Sequence, residues 1–353
     1  MKKLHLISIS LIVILASFSS SCTGQQQKNL KTISIGFYNL ENLFDTILNP
    51  ELFLADQFTP KGKYNWTSER YAEKLKNMAY AISQIALKET PGGLTLLGVC
   101  EVENKGVLED LINEKTIKDR NYQIVHFDSP DRRGIDVALL YDPLHFEVTN
   151  SKAYPLTLAD DTSFRTRSQL VVSGLLDGEE INIIVNHWPS RRGGEEKSRY
   201  KRNAAGDLGR HIVDSLLTIN KKTKILFMGD LNDDPNNESV LLHLKAKGDR
   251  SKLKKGELFN PAFQIHNDST GTLTYRGKWN LFDQIILSQG LLGNKKTSYQ
   301  FDQFKIFDKP FLKQQEGKYK GYPHRTFGGG VYIHGYSDHL PVYVLLVKEV
   351  KGD

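Results

Sequence analysis

The sequence predicts an α/β fold, a four-layer α-β-β-α sandwich in which two packed mixed β-sheets carry helices on their outer faces. Three observations predict it. Short β-branched and apolar runs fall into two groups along the chain, and each group includes one amphipathic helix that must bury a face. The helices are too few for a strictly alternating parallel barrel, and their presence rules against an all-β sandwich. The composition, 39% hydrophobic and 25% charged over 353 residues, is that of a globular protein. No composition shift marks an interdomain linker.

Taken in order, residues 1–21 read as an export signal: Lys2 and Lys3 precede an apolar stretch too short, and too serine-rich at its end, for a membrane span. Ser19, Ser20 and Ser21 then lead into Cys22, an order that resembles a bacterial lipoprotein cleavage site, with residues 22–31 as a polar tether. The expected location is outside the cytoplasm, as a membrane-anchored lipoprotein facing the periplasm or as a secreted protein. Contact with the membrane is expected through the anchor alone. Cys100 is then the single remaining thiol, so no internal disulfide is expected. The net charge of +6 falls to +4 once Lys2 and Lys3 leave with the signal, a mild excess that suits an anionic substrate without demonstrating one.

The domain itself is expected over 32–350, as a monomer. It opens with "KTISIGFYN" and "GLTLLGVCEVE", two strands separated by the helix "SERYAEKLKNMAYAISQIAL" behind a Ser68 cap. "YQIVHF", "IDVALLYD", "HFEVTNSKAY", "SQLVVSGLL" and "EINIIVNHW" follow as an antiparallel series divided by turn signals such as "DP" and "LDGEE". A second helix lies in "EEKSRYKRNAAGDLGRHIVDSLLTIN", and its strand is "KTKILFMGDLN". A short helix is expected in "NNESVLLHL", and the last strands in "NLFDQIILS" and "HLPVYVLLV". The charged run "KAKGDRSKLKKG" reads as a solvated loop.

Five predicted strands end in ionisable or amide groups: Asn39 and Glu41, Glu101, His187, Asp230 with Asn232, and Asp338 with His339. One such residue after a strand is a turn former or a helix cap; five are hard to explain that way. Oxygen donors without a Cys/His cluster at zinc spacing suit a hard divalent cation, Mg2+ or Mn2+. Such a cation beside histidines and arginines suits phosphoryl chemistry, because it neutralises charge developing on phosphate oxygens. In "MGDLNDDP", alternate residues of an extended segment share a face, so Asp230 and Asn232 are expected to point at one phosphate together.

The ordered stretches "NLEN", "CEVEN", "NHWPS", "GDLND", "WNLFDQI" and "SDHLPV" resemble the endonuclease/exonuclease/phosphatase superfamily, over roughly residues 32 to 349. Its members include pancreatic-type deoxyribonucleases, abasic-site endonucleases, sphingomyelinases and inositol phosphatases. The resemblance implies Asn39, Glu101 and Asp338 as metal ligands, with Glu41 an additional candidate. It implies that Asp230 orients or deprotonates the attacking water, that Asn232 holds a phosphate oxygen, and that His339, oriented by Asp283, acts on the phosphate. His187 matches the deoxyribonuclease histidine, with Asp136 as its suggested partner, and departs from the abasic-site enzymes.

Arg133, Arg191 and Arg192 are expected to bind the substrate phosphate, with Arg199, Lys201 and Arg202 nearby on the second helix. Glu103 reads as helix-capping or surface, and Asp233 and Asp234 as structural. Trp66, Trp188, Trp279 and Tyr322 offer stacking surfaces. The expected activity is a low-specificity nuclease on DNA or RNA. The alternatives are a phosphatase or phospholipase C-like hydrolase of a smaller ester, or a catalytically silent binding lipoprotein.

Overall fold

The computed structural model describes residues 29–350 apart from 53, 54 and 268, so the signal and Cys22 lie outside the described residues. Two large sheets dominate. The first has six strands, β1 (Asn29–Leu43), β2 (Leu96–Val102), β3 (Gln123–His126), β4 (Asp136–Tyr141), β12 (Gln300–Ile306) and β13 (Val342–Val350). The second has seven, β5 (Phe146–Tyr154), β6 (Gln169–Leu176), β7 (Glu179–His187), β8 (Ile225–Asp230), β9 (Ala246–Lys247), β10 (Leu258–Phe259) and β11 (Asp283–Leu287). The strand orders are β12-β13-β1-β2-β4-β3 and β5-β6-β7-β8-β11-β10-β9. β1 runs parallel to β2 and β7 parallel to β8 within otherwise largely antiparallel neighbours, so both sheets are mixed.

The central strands are apolar on both faces because both faces are covered. Along β1, Ile33, Ile35 and Phe37 point between the sheets, while Tyr38 and Leu40 point outward against α1 (Ser68–Gln84) and α2 (Lys105–Ile112). Along β8, Leu226 and Met228 point between the sheets, while Ile225 and Phe227 pack on α3 (Glu195–Ile219). Period-2 alternation therefore builds three apolar layers between four layers of secondary structure, as the sequence predicts. The thiol of Cys100 is free and buried in the layer between the sheets. Among the described residues no helix is long and apolar enough to cross a membrane.

Several details differ from expectation. β1 starts at Asn29, which pairs with Val350, so residues 29–31 belong to the first strand rather than to the tether. The cap of α1 is Thr67, whose hydroxyl accepts from the Arg70 amide, and not Ser68. Residues Ser239–His243 form a single π-helical turn where a regular helix is expected. α2, only eight residues long, and β12 lie outside the expected elements.

The two sheets approach closely at Gly98 of β2. A Cβ there would lie 2.6 Å from the Met228 sulfur and 3.2 Å from Val185 Cγ1 on the facing sheet. Overpacking of this kind costs about 1–3 kcal/mol. Gly98→Leu is therefore expected to lower the thermal midpoint measurably, whereas Gly92→Ala, at a turn with open space around it, disturbs no packing.

Candidate active site

The strand ends converge at one edge of the sandwich, and register explains how. His187, last residue of β7, is paired with Asp230, last residue of β8, and Asp230 is paired in turn with Asp283, first residue of β11. Three chemistry-bearing residues thus sit side by side across the second sheet. In the first sheet, Asn39 of β1 pairs with Cys100, which precedes Glu101, and Phe37 pairs with Val342, just beyond Asp338 and His339. The sheets meet here: Asn39 Nδ2 donates to Asp230 Oδ2 at 3.1 Å, and the Ser337 hydroxyl donates to the Asn39 carbonyl.

Backbone bends aim these side chains. Glu41, Asn42, Glu101 and Asn232 have φ values of 47, 51, 60 and 50°, and the strand register shifts between Asn39 and Leu43 and between Cys100 and Val102. Left-handed backbone at non-glycine residues costs energy and persists where the surroundings enforce it. The bulges re-aim the carboxylates of Glu41 and Glu101, as irregular strand ends do beside functional sites.

Around Asp230 Oδ2 stand Asn39 Nδ2 at 3.1 Å, His187 Nε2 at 3.6 Å and His339 Nε2 at 3.8 Å. Its other oxygen accepts the Asn232 amide. Burial raises the pKa of Asp230 to about 7, with Asp283 adding to the shift and His339 opposing it. The two imidazoles are driven apart. Burial lowers His187 well below the usual histidine range, and the nearby Arg167 and Arg133 reinforce this, so it is neutral. Burial alone would lower His339 too, but Asp283, 2.6 Å from its Nδ1, and Asp230 outweigh that and hold it well above the usual range as an imidazolium. A neutral and a charged imidazole flanking one carboxylate can hold an anion and move a proton.

Beside this group lies an acidic rim. Glu41 is buried, accepts from Arg325 Nε and the Thr326 amide, and is raised to about 7 by burial and then by Asp338. Asp338 pairs with Arg325 at 2.8 Å. Lys74, buried under the rim, donates to the Thr326 hydroxyl and the Tyr336 carbonyl, and burial lowers it to about 8 against the pull of Glu41. Glu101 Oε1 is 3.8 Å from His187 and 3.9 Å from Arg133, beyond hydrogen-bond reach of either, while its Oε2 accepts the Asn42 amide.

The model of the endonuclease/exonuclease/phosphatase family matches residues 34–348. The chain belongs to that family. Comparison with curated protein sequences gives no match. Among solved structures, an endonuclease/exonuclease/phosphatase family protein from Bacteroides thetaiotaomicron is 14% identical with a TM-score of 0.55, covering 92% of this chain and 98% of that one. Truncated TDP2 from Caenorhabditis elegans is 16% identical with a TM-score of 0.53, over 89% and 97% of the two chains. A mannosyl-6-phosphatase from B. thetaiotaomicron is 15% identical with a TM-score of 0.54, over 89% and 99%. At these identities the likeness is one of fold.

The family's members are phosphoric ester hydrolases, and its enzymes typically use divalent metals. The residues present fit such an ion: Asn39, Glu41, Glu101 and Asp338 offer side-chain oxygens, and Glu41, raised by burial and then by the neighbouring Asp338, is a carboxylate that a cation would favour in its charged form. The rim is not drawn tight, however. Among the described residues, the groups with ligand atoms within 4.8 Å of one another are Asp230/Asp283/His339 and His126/Asp128/Asp136.

The structure brings Asn39, Glu101, His187, Asp230, Asp283 and His339 together, with Asp338 at the rim. Other expectations are corrected. β8 ends at Asp230, so alternation does not extend to Asn232, whose side-chain amide donates to the Trp188 carbonyl. Asp136 serves His126 and the Ser129 amide, not His187. Arg191 is turned inward, bonding Asp233, Asp234, Asn237 and Glu195 and stacking on Phe282, so its fork is not free for phosphate. Arg202 is fully buried against Asp233. Glu103 accepts the Asp45 amide, and the cap of α2 is Asn104. Trp66 and Trp188 are core residues.

Four residues of this site escaped the sequence reading. Buried Arg167 donates to the carbonyls of His187 and Trp188 and pairs with Asp131, pinning the end of β7. Arg325 and Thr326 lie in "PHRTFGGG", which carries no strand pattern. Lys74 left a signal: a lysine among Tyr71, Leu75, Met78 and Ile82 on the apolar stripe of α1.

Asp283→Asn is expected to lower the pKa of His339, followed by NMR titration of the ring protons. Because pairing raises the folded pKa, its stability contribution is complete below the unfolded value near pH 6.5 and is lost as pH rises through the folded value. The advantage of the wild type over the variant in chemical denaturation should therefore shrink toward alkaline pH. Unchanged titration of His339 would remove Asp283 as its orienting partner.

Proposed function

We propose that the protein is an exported, divalent-metal-dependent phosphodiesterase acting on nucleic acid with little sequence preference. The observation that carries this reading is the convergence on Asp230 Oδ2 of Asn39, a neutral His187 and a charged His339. Asp230 takes a proton from the attacking water and Asn39 keeps its carboxylate in place. His339, oriented by Asp283, faces the phosphate as an imidazolium, and His187 holds a phosphate oxygen from the opposite side. Asn39, Glu101 and Asp338, with Glu41 beside them, would hold Mg2+ or Mn2+, which would supply positive charge for the phosphate oxygens.

The surroundings support a substrate larger than a phosphate monoester. A cleft of about 800 Å³ opens from Arg325 and Asp338 and is lined by Tyr275, Arg276, Lys318, Tyr319 and Tyr322. Tyr275 and Tyr319 are exposed, and aromatic faces flanked by cations suit stacked bases. The signal sequence and Cys22 support export and a lipid anchor, with contact to the membrane through that anchor and the domain as a monomer.

Hydrolysis of bis(4-nitrophenyl) phosphate and nicking of plasmid DNA should both require Mg2+ or Mn2+ and stop on chelation. Asp230→Ala and His339→Ala should each lower kcat by about 10²-fold or more while leaving the circular dichroism spectrum unchanged. Near-normal turnover in both variants would refute the site. Release of phosphate from sugar phosphates without cleavage of diesters would favour the phosphatase alternative.

A further inference from the structure

Next to Arg133, which lies 3.9 Å from Glu101, a second cleft of about 330 Å³ is lined by Arg132, Arg133, Arg165, Arg192 and Lys201. Its size falls at the small end of ligand clefts, which hold roughly 300–1,000 Å³. Two acidic residues reach it, and both are already engaged. Asp131 is buried, pairs with Arg167 at 2.9 Å and accepts the Arg133 amide. Asp161 is tied into its own turn by the amide and hydroxyl of Ser163.

Arg133 faces Asp131 and Glu101, and Lys201 lies within electrostatic reach of Asp161, whereas among the described residues Arg132, Arg165 and Arg192 pair with no carboxylate. Arg132 donates to the Ser163 carbonyl, and Arg165 to the carbonyls of Thr162 and Phe164, contacts that leave both charges uncompensated. Lys201 lies over the Phe164 and Tyr200 rings. Arg192 is exposed, on the loop that follows β7.

The cleft is joined to the catalytic edge in two ways. Arg133 stands between them, 3.7 Å from Asp131 and 3.9 Å from Glu101. Arg167, on the cleft wall, holds the carbonyls of His187 and Trp188. An anion in the cleft would therefore be attached to a substrate whose scissile phosphate sits at Asp230.

We propose that this arginine-lined cleft binds a non-scissile phosphate of a nucleic-acid strand, at least one nucleotide along from the bond that is cut. The proposal rests on the phosphodiesterase reading of the catalytic edge and adds to it a preference for oligonucleotides over minimal diesters. A concave pocket flush with the catalytic edge fits a strand threading past it better than it fits a membrane plane, which would meet a flat basic surface. Binding here is electrostatic, so it weakens with salt, by a slope of roughly 0.7 per phosphate neutralised on single strands.

The test uses Arg165→Gln and Lys201→Ala, singly and together, in the otherwise unaltered protein with Mg2+. Hydrolysis of bis(4-nitrophenyl) phosphate, which has no second phosphate, should be unchanged, and it also reports that the variants fold. KM for a thymidine hexanucleotide should rise at least five-fold in the double variant with kcat held. The salt slope of fluorescein-labelled hexanucleotide binding, read by anisotropy, should fall by roughly 0.7 for each cation removed. An unchanged hexanucleotide KM with normal cleavage of the small diester would overturn this inference alone. Failure of the wild type to cleave any diester would instead overturn the phosphodiesterase reading. If both variants lost binding to vesicles of anionic phospholipid while keeping oligonucleotide affinity, the cleft would be a lipid site and the proposal wrong.

Discussion

A carboxylate buried between two sheets stays useful only if polar groups surround it, and Asp230 is that carboxylate. It is 2% exposed, and its partners come from different layers: Asn39 from the first sheet, His187 from the neighbouring strand of the second, His339 from the loop before β13. Moving His339 would leave the buried carboxylate without its cationic neighbour, a penalty of several kcal/mol, and moving Asn39 would remove its side-chain hydrogen bond. Close packing of the sheets near Gly98 and the alignment of their edges at Asn39 are therefore one constraint seen at two points.

From that constraint the division of labour at the edge follows. His187 is desolvated among arginines and stays neutral, whereas His339 is desolvated among carboxylates and stays charged. The same burial acts on both, and neighbouring charge decides the sign. Arginines deepen the arrangement rather than decorate it. Arg167 fixes the backbone of His187 from below, and Arg191 and Arg202 gather Asp233 behind the loop that follows Asp230.

Much of this was legible in the sequence, for reasons that differ between residues. The two-sheet architecture could be read because doubly covered strands are continuous apolar runs, as in "IILSQ" after Asp283 and "KILFMG" before Asp230. The site residues could be read because each follows or precedes such a run, where an acidic or imidazole side chain breaks the pattern. Asn232 was placed wrongly because period-2 reasoning assumes the strand continues, and the left-handed turn after Asp230 ends it. Arg191 was misjudged since glycines beside an arginine suggest a mobile loop, while Asp233 and Asp234, which help capture it, lie 42 and 43 residues away. Arg167, Arg325 and the Asp131 pairing depend on contacts between distant segments with no periodicity of their own.

The account's central claim is that the two sheets jointly place a hard cation against Glu101, next to but not within the Asp230–Asp283–His339 group. Diffraction at the manganese absorption edge, from crystals grown with Mn2+, tests this directly. The account predicts an anomalous peak with Glu101 among its direct ligands and His339 still bound to Asp283. A peak held by Asp230, Asp283 and His339, or by His126, Asp128 and Asp136 with Glu101 left free, would contradict it.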